Sequence, residues 1–399
     1  MKIVLFGNST WCLYNFRRSL IIELIARGHQ VHVIAPFDPT YNDPAYVAKF
    51  EELAVKFHPL PLRARRLNPI AELKSVFFLV RLLWKIRPDV VLSFTVKCNL
   101  YAGLCRKLIR FRQIANVPGL GEVFEKRTWV QSVVRVLYKF SFSGMQTAFF
   151  QNKEDLAYCV DNKLVDAACC RLLPGSGVDL NLFTKSLPPR CATKRVFLMY
   201  GRLLPQKGYY VFLEAARILR SVVGVAVECR ILGIEDKNRS QSRDLLLAIK
   251  NAEREGVVKF MPAVVDVTPV LRDVDVVVLP SYYNEGVPRS LLEAMACGKP
   301  VIGSDWKGCR DTVRHGINGY LVPVKSVHAL VQAMLKFAVM PDDELRAMGQ
   351  ESRHIVEQSY DERLVLHSYL IAVSGETIPL EPPVRLPAEA AAASAESEA

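Results

Sequence analysis

Two glutamates, Glu285 and Glu293, flank the start of a predicted helix in the stretch NEGVPRSLLEAMACGKPVIGSD, residues 284–305. The preceding VDVVVLP is typical of a buried strand, and Pro288 suits the first turn of a helix. The free N–H groups and the positive dipole end of such a helix attract a phosphate or a sugar oxygen. Carboxylates only accept hydrogen bonds, so the pair suits a ligand rich in hydroxyl groups. On spacing alone, however, a helix-capping glutamate followed by an exposed helical one is favoured.

Two cations follow another predicted strand, in the stretch YGRLLPQKGYYVFLEAA at 200–216. The strand ends at Gly201, and Gly208 leads into a helix. Arg202 and Lys207 lie in the loop between them. Arginine provides a planar fork and lysine a point charge, so that together they can neutralise a diphosphate. Taken singly, each is more often an ordinary surface cation.

A third loop follows the first predicted strand, KIVLF, and contains Gly7, Asn8 and Ser9. Gly7 lacks the further glycines of a GxGxxG dinucleotide-binding motif, so that motif is only weakly indicated. A loop of Gly, Asn and Ser at the carboxyl end of a strand can approach a ligand closely. A tight turn between strand and helix explains the same residues equally well.

The hydrophobic pattern around these loops predicts an α/β protein. Short β-branched runs such as KIVLF, QVHVIA and DVVLSF alternate with amphipathic stretches, which is typical of βαβ units on a parallel sheet. After a polar patch at 184–194, the alternation starts again with RVFLMYG. The predicted helices lie at 15–27, 70–86, 208–220, 241–254 and 289–297, and further helices run from 327 to about 369.

This pattern predicts two doubly wound, Rossmann-like domains that face each other and bind ligands between them, at the carboxyl ends of their strands. The expected first domain spans 1–185 and the second 186–358. A helix at 359–375 is expected to pack back on the first domain. The segment 376–399, rich in Pro and then in Ala, Ser and Glu, is expected to be a disordered tail.

Cysteine content and apolar runs indicate the compartment. The 399 residues include ten cysteines, without a CxxC pair or a Cys/His grouping at zinc spacing. Reduced thiols in the cytosol are therefore expected. The start MKIVLFGNST has too short an apolar run for a signal peptide, and no run reaches the roughly 18 uncharged apolar residues of a membrane span.

Positive charge is concentrated in the amino-terminal half of a chain whose net charge is +12. Between Lys56 and Arg87, eight cations face the single acid Glu72. Aromatic residues such as Phe77 and Trp84 are interleaved with them, which suits an anionic membrane surface. A solvated basic surface is an equal alternative. Nucleic acid ranks third, because no nucleic-acid-binding signature accompanies the charge.

Three motifs occur together in the order LPGSGVD, GRLLPQKG and EGVPRSLLEAMACGKPVIGSD, the last with its Glu-x7-Glu spacing. They resemble the retaining glycosyltransferases of family 4, also called group 1, which have the GT-B fold. The resemblance covers about residues 1–370. NVPGLGEVF at 116–124 and SFTVKCNLYAGL at 93–104 further resemble the bacterial enzymes that extend polyprenyl-diphosphate-linked oligosaccharides for O-antigen, capsule or protein glycosylation.

The resemblance implies roles for residues on the donor side. Arg202 and Lys207 would hold the donor diphosphate. Glu285 would lie against the transferred sugar, and Glu293 would accept hydrogen bonds from the ribose hydroxyls. The further donor-binding positions are Gly201, Gly286, Val287, Pro288 and Arg289. Members of the family need no metal or other cofactor, because cationic side chains and a helix end neutralise the charge.

The acceptor side departs from the family pattern. Many relatives have a histidine in the loop after the strand DVVLSF, where this chain has Thr95 and Lys97. Lys97 either binds the diphosphate of the acceptor or is a surface charge, and both interpretations remain open. The other expected acceptor-binding residues are Asn8 and Ser9, where many relatives have two glycines, and Gly119 and Gly121.

The resemblance therefore implies a retaining glycosyltransferase that moves a hexose or N-acetylhexosamine from a UDP-sugar to an undecaprenyl-diphosphate-linked saccharide, in the assembly of a surface polysaccharide or glycan. Its partners would be the nucleotide-sugar, the lipid-linked acceptor and an anionic membrane, without nucleic acid. It would act in the cytoplasm, peripherally on the inner face of the membrane. The alternatives are a nucleotide-sugar epimerase or a phosphorylase of the same shape, and a non-catalytic sugar- or nucleotide-binding protein.

Overall fold

Two parallel β-sheets with flanking helices make up the chain, which confirms the predicted α/β fold class. The computed structural model describes residues 1–37, 43–62, 69–120, 124, 129–184, 194–222, 226–236, 240–284 and 286–376. Almost all of the polar patch at 184–194 and of the predicted tail at 376–399 lies outside the described residues.

The first sheet and its helices are built from the amino-terminal half of the chain. In chain order the elements are β1 (Lys2–Phe6), α1 (Thr10–Ala26), β2 (Gln30–Ala35), α2 (Asp43–Glu52), β3 (Lys56–Pro59), α3 (Pro69–Ile86), β4 (Val90–Phe94), α4 (Val96–Arg106), β5 (Arg112–Val117), α5 (Trp129–Phe142), β6 (Thr147–Phe150), α6 (Lys153–Asp161) and β7 (Cys170–Leu172).

The second sheet repeats the same alternation. Its elements are β8 (Arg195–Arg202), α7 (Tyr209–Ser221), β9 (Val227–Ile234), α8 (Ser240–Arg254), β10 (Lys259–Pro262), α9 (Thr268–Arg272), β11 (Val276–Leu279), α10 (Arg289–Ala296), β12 (Val301–Ser304), α11 (Cys309–Thr312) and β13 (Gly319–Val322). Three helices follow: α12 (Val327–Val339), α13 (Asp342–Ser359) and α14 (Glu362–Ser374).

Strand order is the same in the central part of both sheets. The first sheet runs β3-β2-β1-β4-β5-β6-β7 and the second β10-β9-β8-β11-β12-β13, with parallel pairing throughout the described strands. The order reverses between β1 and β4 and again between β8 and β11. In doubly wound sheets, a ligand crevice opens at such a reversal, outside the carboxyl ends of the strands.

Helices bury apolar side chains on both faces of the first sheet. Side chains alternate along β1, so that Ile3 and Leu5 pack towards α1 and α14, whereas Val4 and Phe6 pack towards α3, α4 and α5. The last helix, α14, thus belongs to the core of the first sheet. Its Tyr369 is buried there and accepts a hydrogen bond from the Asn116 side-chain amide at 2.5 Å.

The chain crosses between the two halves at two places, and these crossings are joined. The N–H of Val178 donates to the carbonyl of Tyr360 at 2.9 Å, and the N–H of Glu362 donates to the carbonyl of Val178 at 3.1 Å. Gly177 lies so close that a Cβ there would be 2.5 Å from the Cα of Glu362. The segment after β7 and the segment before α14 are therefore paired, and this contact is called the paired crossing.

Four predicted helices agree with the structure to within one residue at both ends, namely α3, α7, α8 and α10. Helix α1 differs, since it begins at Thr10 and not at residue 15. The side chain of Ser9 accepts a hydrogen bond from the N–H of Cys12 at 3.4 Å and caps the helix. The cap places the helix start directly after the loop that follows β1.

The helices predicted from 327 to about 369 are three in the structure. Pro341 follows the end of α12 and cannot continue a helix, because it lacks an N–H group. Asp361 caps α14, its side chain accepting from the N–H of Arg363 at 2.9 Å. These two breaks allow α13 to stay with the second sheet while α14 returns to the first.

Candidate active site

The candidate active site lies between the carboxyl ends of the two sheets. The loops after β1 and β4 occupy the reversal point of the first sheet, and the loops after β8 and β11 occupy that of the second. Gly286, in the loop after β11, packs against Pro118 and Gln151, which follow β5 and β6. The two sets of loops therefore face one cleft, and the predicted site residues are distributed along it.

The loops after β8 and β11 are clasped together. The N–H of Tyr282 donates to the carbonyl of Gln206 at 2.8 Å. Gly208 has a left-handed φ of +88°, and a Cβ at this position would overlap the carbonyl oxygen of Pro280. Only glycine fits this close approach. The clasp holds Lys207, which is 8% exposed, beside the loop that leads to α10.

Arg202 lies at the end of β8 and is exposed. Burial raises the pKa of Cys12 at the start of α1, and the positive charges of Arg202 and Arg17 partly offset this effect. Gly201 next to Arg202 has a φ of +141°, and its carbonyl accepts a hydrogen bond from the Tyr209 hydroxyl at 3.1 Å.

Glu293 lies on the second turn of α10 and accepts hydrogen bonds from two side chains. Its Oε1 accepts from Nε of Arg289 at 2.8 Å, and its Oε2 accepts from the hydroxyl of Tyr200 at 3.0 Å. Its side chain is only 14% exposed, so the interpretation as an exposed helical residue is wrong. The two donors orient the carboxylate and leave lone pairs on both oxygens for a ligand. Tyr200 was not predicted, although the quoted motif begins with it.

Arg289 connects the second sheet to the first. Besides Glu293, it donates to the carbonyl of Gly177 at 3.4 Å, and its guanidinium lies 5.0 Å from the ring centroid of Phe16 on α1. Arg289, a predicted donor-binding residue, thus also contacts the first half of the chain through Phe16. Pro288 directly precedes the first residue of α10, with φ −70° and ψ 119°, and does not lie in its first turn as predicted.

The loop that precedes α10 fits closely against the first half of the chain. A Cβ at Gly286 would overlap the carbonyl oxygen of Pro118 and lie 2.8 Å from the side chain of Gln151. Val287 packs against Gly175, where a Cβ would lie 2.8 Å from the valine side chain. Glu285 lies outside the described residues.

The predicted acceptor-binding residues lie at several strand ends of the first sheet. Asn8 and Gly119 are half-buried after β1 and β5. Ser9 caps α1, which supports the tight-turn interpretation for its side chain. Gly121 lies outside the described residues. The structure therefore places Asn8, Ser9 and Gly119 at the carboxyl edge.

Lys97 forms a partly buried ion pair at the start of α4. Its Nζ donates to Oε1 of Glu72 on α3 at 2.8 Å, and the side chains are 17% and 19% exposed. It is therefore more than a solvated surface charge. Thr95, just before α4, has a φ of +79°, a conformation that strains a non-glycine residue. The sequence neighbours of Lys97 contain no signal for Glu72, which is 25 residues away.

A buried ion pair bridges the two halves at another side of the cleft. Nζ of Lys307, in the loop after β12, donates to Oδ1 of Asp155 on α6 at 2.8 Å. Asp155 is 2% exposed, and its other oxygen accepts from the N–H of Leu120 and the side-chain amide of Asn152. Sequence reasoning missed this pair, since neither residue belongs to a recognisable motif.

A cavity of about 620 Å³ adjoins this ion pair. Its size is in the range of small-molecule sites. In it, Nζ of Lys325 lies 4.7 Å from the ring centroid of Tyr282. The lining combines cations with aromatic rings, which suits an anionic or sugar ligand. The lining residues are Glu154, Tyr282, Asn284, Trp306, Lys307, Arg310, Val324 and Lys325.

Metal-binding side chains do not converge in the part of the chain that the structure describes, where no group of three or more His, Cys, Asp or Glu residues has suitable geometry. The positive charge in the described part of the cleft comes from side chains such as Arg202, Lys207 and Lys307.

Two family sequence models match the chain. The Glycosyl transferase 4-like domain matches residues 15–176, and Glycosyl transferases group 1 matches residues 188–355. The first match falls on the elements of the first sheet, and the second on those of the second sheet. Together the two models account for both halves of the cleft.

Two bacterial relatives align over most of the chain. The N,N'-diacetylbacillosaminyl-diphospho-undecaprenol alpha-1,3-N-acetylgalactosaminyltransferase of Campylobacter jejuni is 28% identical, over 93% of this chain and 97% of its own. The UDP-Gal:alpha-D-GlcNAc-diphosphoundecaprenol alpha-1,3-galactosyltransferase of Escherichia coli is 25% identical, over 76% of this chain and 79% of its own.

Solved structures show the same fold. HepE of Anabaena in complex with UDP aligns with a TM-score of 0.74 at 17% identity, over 94% of this chain and 100% of its own. Sucrose-phosphate synthase of Thermosynechococcus elongatus aligns with a TM-score of 0.76 at 20% identity, over 94% and 98%. The fold is therefore GT-B. With family models on both halves and relatives along nearly its whole length, the chain belongs to the group 1 glycosyltransferases and is a glycosyltransferase.

Proposed function

We propose that the enzyme transfers a sugar from a UDP-sugar, with retention of anomeric configuration, to a saccharide carried on undecaprenyl diphosphate. The observation that carries this proposal is the clasp between Tyr282 and Gln206, which holds the cationic loop after β8 against the loop that leads to α10. Cations beside a helix N-terminus suit a diphosphate. The names of the Campylobacter jejuni and Escherichia coli relatives support the lipid-linked acceptor, and the HepE complex supports UDP.

The donor would lie along the second sheet. Arg202 and Lys207 would neutralise its diphosphate, as the family resemblance implies. Glu293 would accept hydrogen bonds from the ribose, because Tyr200 and Arg289 orient its carboxylate without using every lone pair. The sugar would then extend towards Glu285, and no metal or other cofactor would be required.

In the proposed reaction, the acceptor hydroxyl oxygen forms a bond to the anomeric carbon while the bond from that carbon to the diphosphate oxygen breaks. The electron pair stays with UDP, and Arg202 and Lys207 stabilise its developing charge. The hydroxyl proton passes to the departing phosphate oxygen. Attack and departure occur on the same face of the sugar, which retains the configuration.

The acceptor would bind to the first half of the chain, near Asn8, Ser9 and Gly119 at the carboxyl edge of its sheet. Because the lipid of such an acceptor stays in the bilayer, the enzyme would work in peripheral association with the inner face of the cytoplasmic membrane. Among the helices of the described ranges, none is long and apolar enough to cross a membrane.

The test is a transfer assay with a panel of UDP- and GDP-sugars and a short-chain prenyl-diphosphate saccharide. We expect release of UDP that requires the acceptor, and NMR should show the donor's anomeric configuration in the product. Lys207→Ala should lower turnover by roughly 100-fold, as loss of a group that stabilises developing charge does. Lys259→Ala, an exposed cation on β10, is the matched control, and thermal unfolding checks that both variants fold.

Three results would contradict the proposal. Interconversion of UDP-sugars without an acceptor would indicate an epimerase. Phosphate-dependent release of the sugar would indicate a phosphorylase. Binding without turnover across the whole panel would indicate a binding protein.

A further inference from the structure

Helix α3 exposes a stripe of large apolar side chains on the side opposite its core contacts. Leu79 and Leu83 are fully buried against the first sheet. On the opposite side, Leu73 is 71% exposed, Phe77 58% and Trp84 66%. Positions 73, 77 and 84 recur at the spacing of one helix face. An 18-residue helix that is apolar on both sides is unusual for a surface facing water alone.

Helix α5 presents a similar stripe from the same layer of the domain. Val136 and Phe140 are exposed, whereas Tyr138 and Phe142 on its other side are buried. Helices α3, α4 and α5 all pack on one face of the first sheet, because their buried residues belong to one hydrophobic core. At the end of α4, Nζ of Lys107 lies 5.3 Å from the ring centroid of Phe140. The exposed sides of α3 and α5, with the end of α4, are called the α3–α5 face.

The α3–α5 face is also strongly cationic. Lys74, Arg81 and Lys85 are exposed on α3 beside its apolar stripe, and Lys139 is exposed on α5. Within residues 69–120, 124 and 129–145, the described acids are two: Glu72, which pairs with Lys97, and Asp89, which accepts from the N–H of Lys2. The charge beside the apolar stripes is therefore positive.

The α3–α5 face adjoins the cleft. The ion pair of Glu72 with Lys97 ties the start of α3 to the start of α4, which follows the carboxyl end of β4. The apolar stripe begins at this end of α3, with Ile70 and Leu73 exposed. A surface that covers the stripe would thus lie next to the first-sheet wall of the candidate active site.

We propose that the α3–α5 face docks onto an anionic lipid bilayer and so brings the cleft to an acceptor anchored in that bilayer. The part of this proposal that concerns the acceptor rests on the proposed function. Apolar side chains flanked by cations match the interface of an anionic leaflet, where helices lie in the plane of the membrane. A second copy of this chain would bring like charges together, and phosphate backbones do not require exposed Leu, Ile and Val side chains.

The experiment is co-sedimentation of the full chain with vesicles of equal parts phosphatidylglycerol and phosphatidylcholine, compared with pure phosphatidylcholine, at low and high salt. One variant combines Leu73→Ser with Phe77→Ser, and a second combines Lys74→Gln with Arg81→Gln. The matched control combines Leu247→Ser with Val265→Ser, exposed apolar residues that are 59% and 97% exposed beside the second sheet. Thermal unfolding confirms that each variant is folded.

We expect the native chain to bind the anionic vesicles more tightly than the neutral ones and to lose affinity in high salt. The Leu73/Phe77 variant should bind at least about tenfold more weakly, because its apolar burial is lost. The Lys74/Arg81 variant should lose about fivefold for each cation removed, at low salt. The Leu247/Val265 control should bind as the native chain does.

Native-like vesicle binding by the Leu73/Phe77 variant would overturn the proposal. So would a native dimer without lipid that this variant converts to a monomer, because the face would then join two copies. Transfer to the short-chain prenyl-diphosphate saccharide, measured without vesicles, separates the two proposals. If that transfer is normal while vesicle binding is absent, only the docking face fails. If vesicles bind and no transfer is found, only the proposed function fails.

Discussion

The hydroxyl of Tyr200 at the end of β8 donates a hydrogen bond of 3.0 Å to the carboxylate of Glu293 on α10. Burial, together with the charge of Glu293, holds the pKa of this tyrosine well above its ordinary value, so the hydroxyl keeps its proton and remains a donor. The bond joins the end of β8 to helix α10 and, with the bond from Arg289, fixes the position of the carboxylate.

Removal of this donor should weaken nucleotide-sugar binding without unfolding the protein. A hydrogen bond to a charged group contributes about 1.5–3 kcal/mol, so Tyr200→Phe should raise the KM for the donor by roughly tenfold or more. The effect on kcat should be smaller, because Glu293 is proposed to hold the ribose and not the reacting carbon. Steady-state kinetics measure both constants. Tyr210→Phe, on the exposed side of α7, is the control; an unchanged KM in Tyr200→Phe would refute the role.

Gly208→Ala should be far more destabilising than Gly28→Ala. Both glycines have a left-handed φ, +88° and +77°, which alone costs alanine about 1–2 kcal/mol. Around Gly28 a Cβ would meet nothing within 4 Å, whereas at Gly208 it would overlap the carbonyl oxygen of Pro280. We expect an additional loss of about 1–3 kcal/mol, since the clasp must open. Urea unfolding measures the difference, and equal losses would show that the contact is readily relieved.

The ion pair between Lys307 and Asp155 should couple more strongly than the exposed pair next to it. Asp155 is 2% exposed, and removal of Lys307 leaves its carboxylate buried with one partner fewer, at a cost of about 3–5 kcal/mol. The pair of Arg310 with Glu154, at 3.5 Å and about half exposed, should couple by less than about 1 kcal/mol. Double-mutant cycles of unfolding measure both values. Coupling of equal size would argue against a special role for Asp155.

Acid should destabilise the native state through His32. Burial, with the charges of His58, Lys56 and Lys2, lowers the pKa of His32 from 6.5 to about 4. Between these values the unfolded chain binds more protons than the native chain, so stability is complete above about pH 6.5 and falls towards pH 4.

In His32→Gln this part of the pH dependence should disappear. Chemical denaturation between pH 4 and pH 7.5 measures the slope for the native chain and the variant. His328→Gln, which replaces an exposed imidazole on α12, is the matched control. A variant slope equal to the native one would assign the acid sensitivity to other groups, such as His58, whose pKa is also lowered by burial.

Local patterns were sufficient to predict the elements that carry the donor loops. Glycine and proline mark the ends of strands and the starts of helices, so α7 and α10 were located within one residue. The reversal of strand order then brings the loops after β8 and β11 together, as expected for a doubly wound sheet. In these parts of the cleft, the candidate donor-binding residues are close in sequence to the glycines and prolines that mark the ends of the elements.

The remaining contacts depend on tertiary packing and have no local signal. Tyr200 and Glu293 are 93 residues apart, and Asp155 and Lys307 are 152 apart. A single sequence shows where the charges lie and how the hydrophobic residues are spaced. It does not show which distant carboxylate forms an ion pair with a given cation. The predicted start of α1 is too late for a different reason, since a serine after a strand suits a tight turn as well as it suits a helix cap.

The paired crossing at Val178 and Tyr360 has a mechanical consequence for the cleft. Two connections that are hydrogen-bonded to each other act as one hinge. We therefore expect the two halves to move by rotation about this hinge and not to rotate independently of each other. In such a motion, contacts near the hinge move least and contacts far from it separate most. An opening of this kind would separate Lys307 from Asp155, because the two residues belong to opposite halves of the chain.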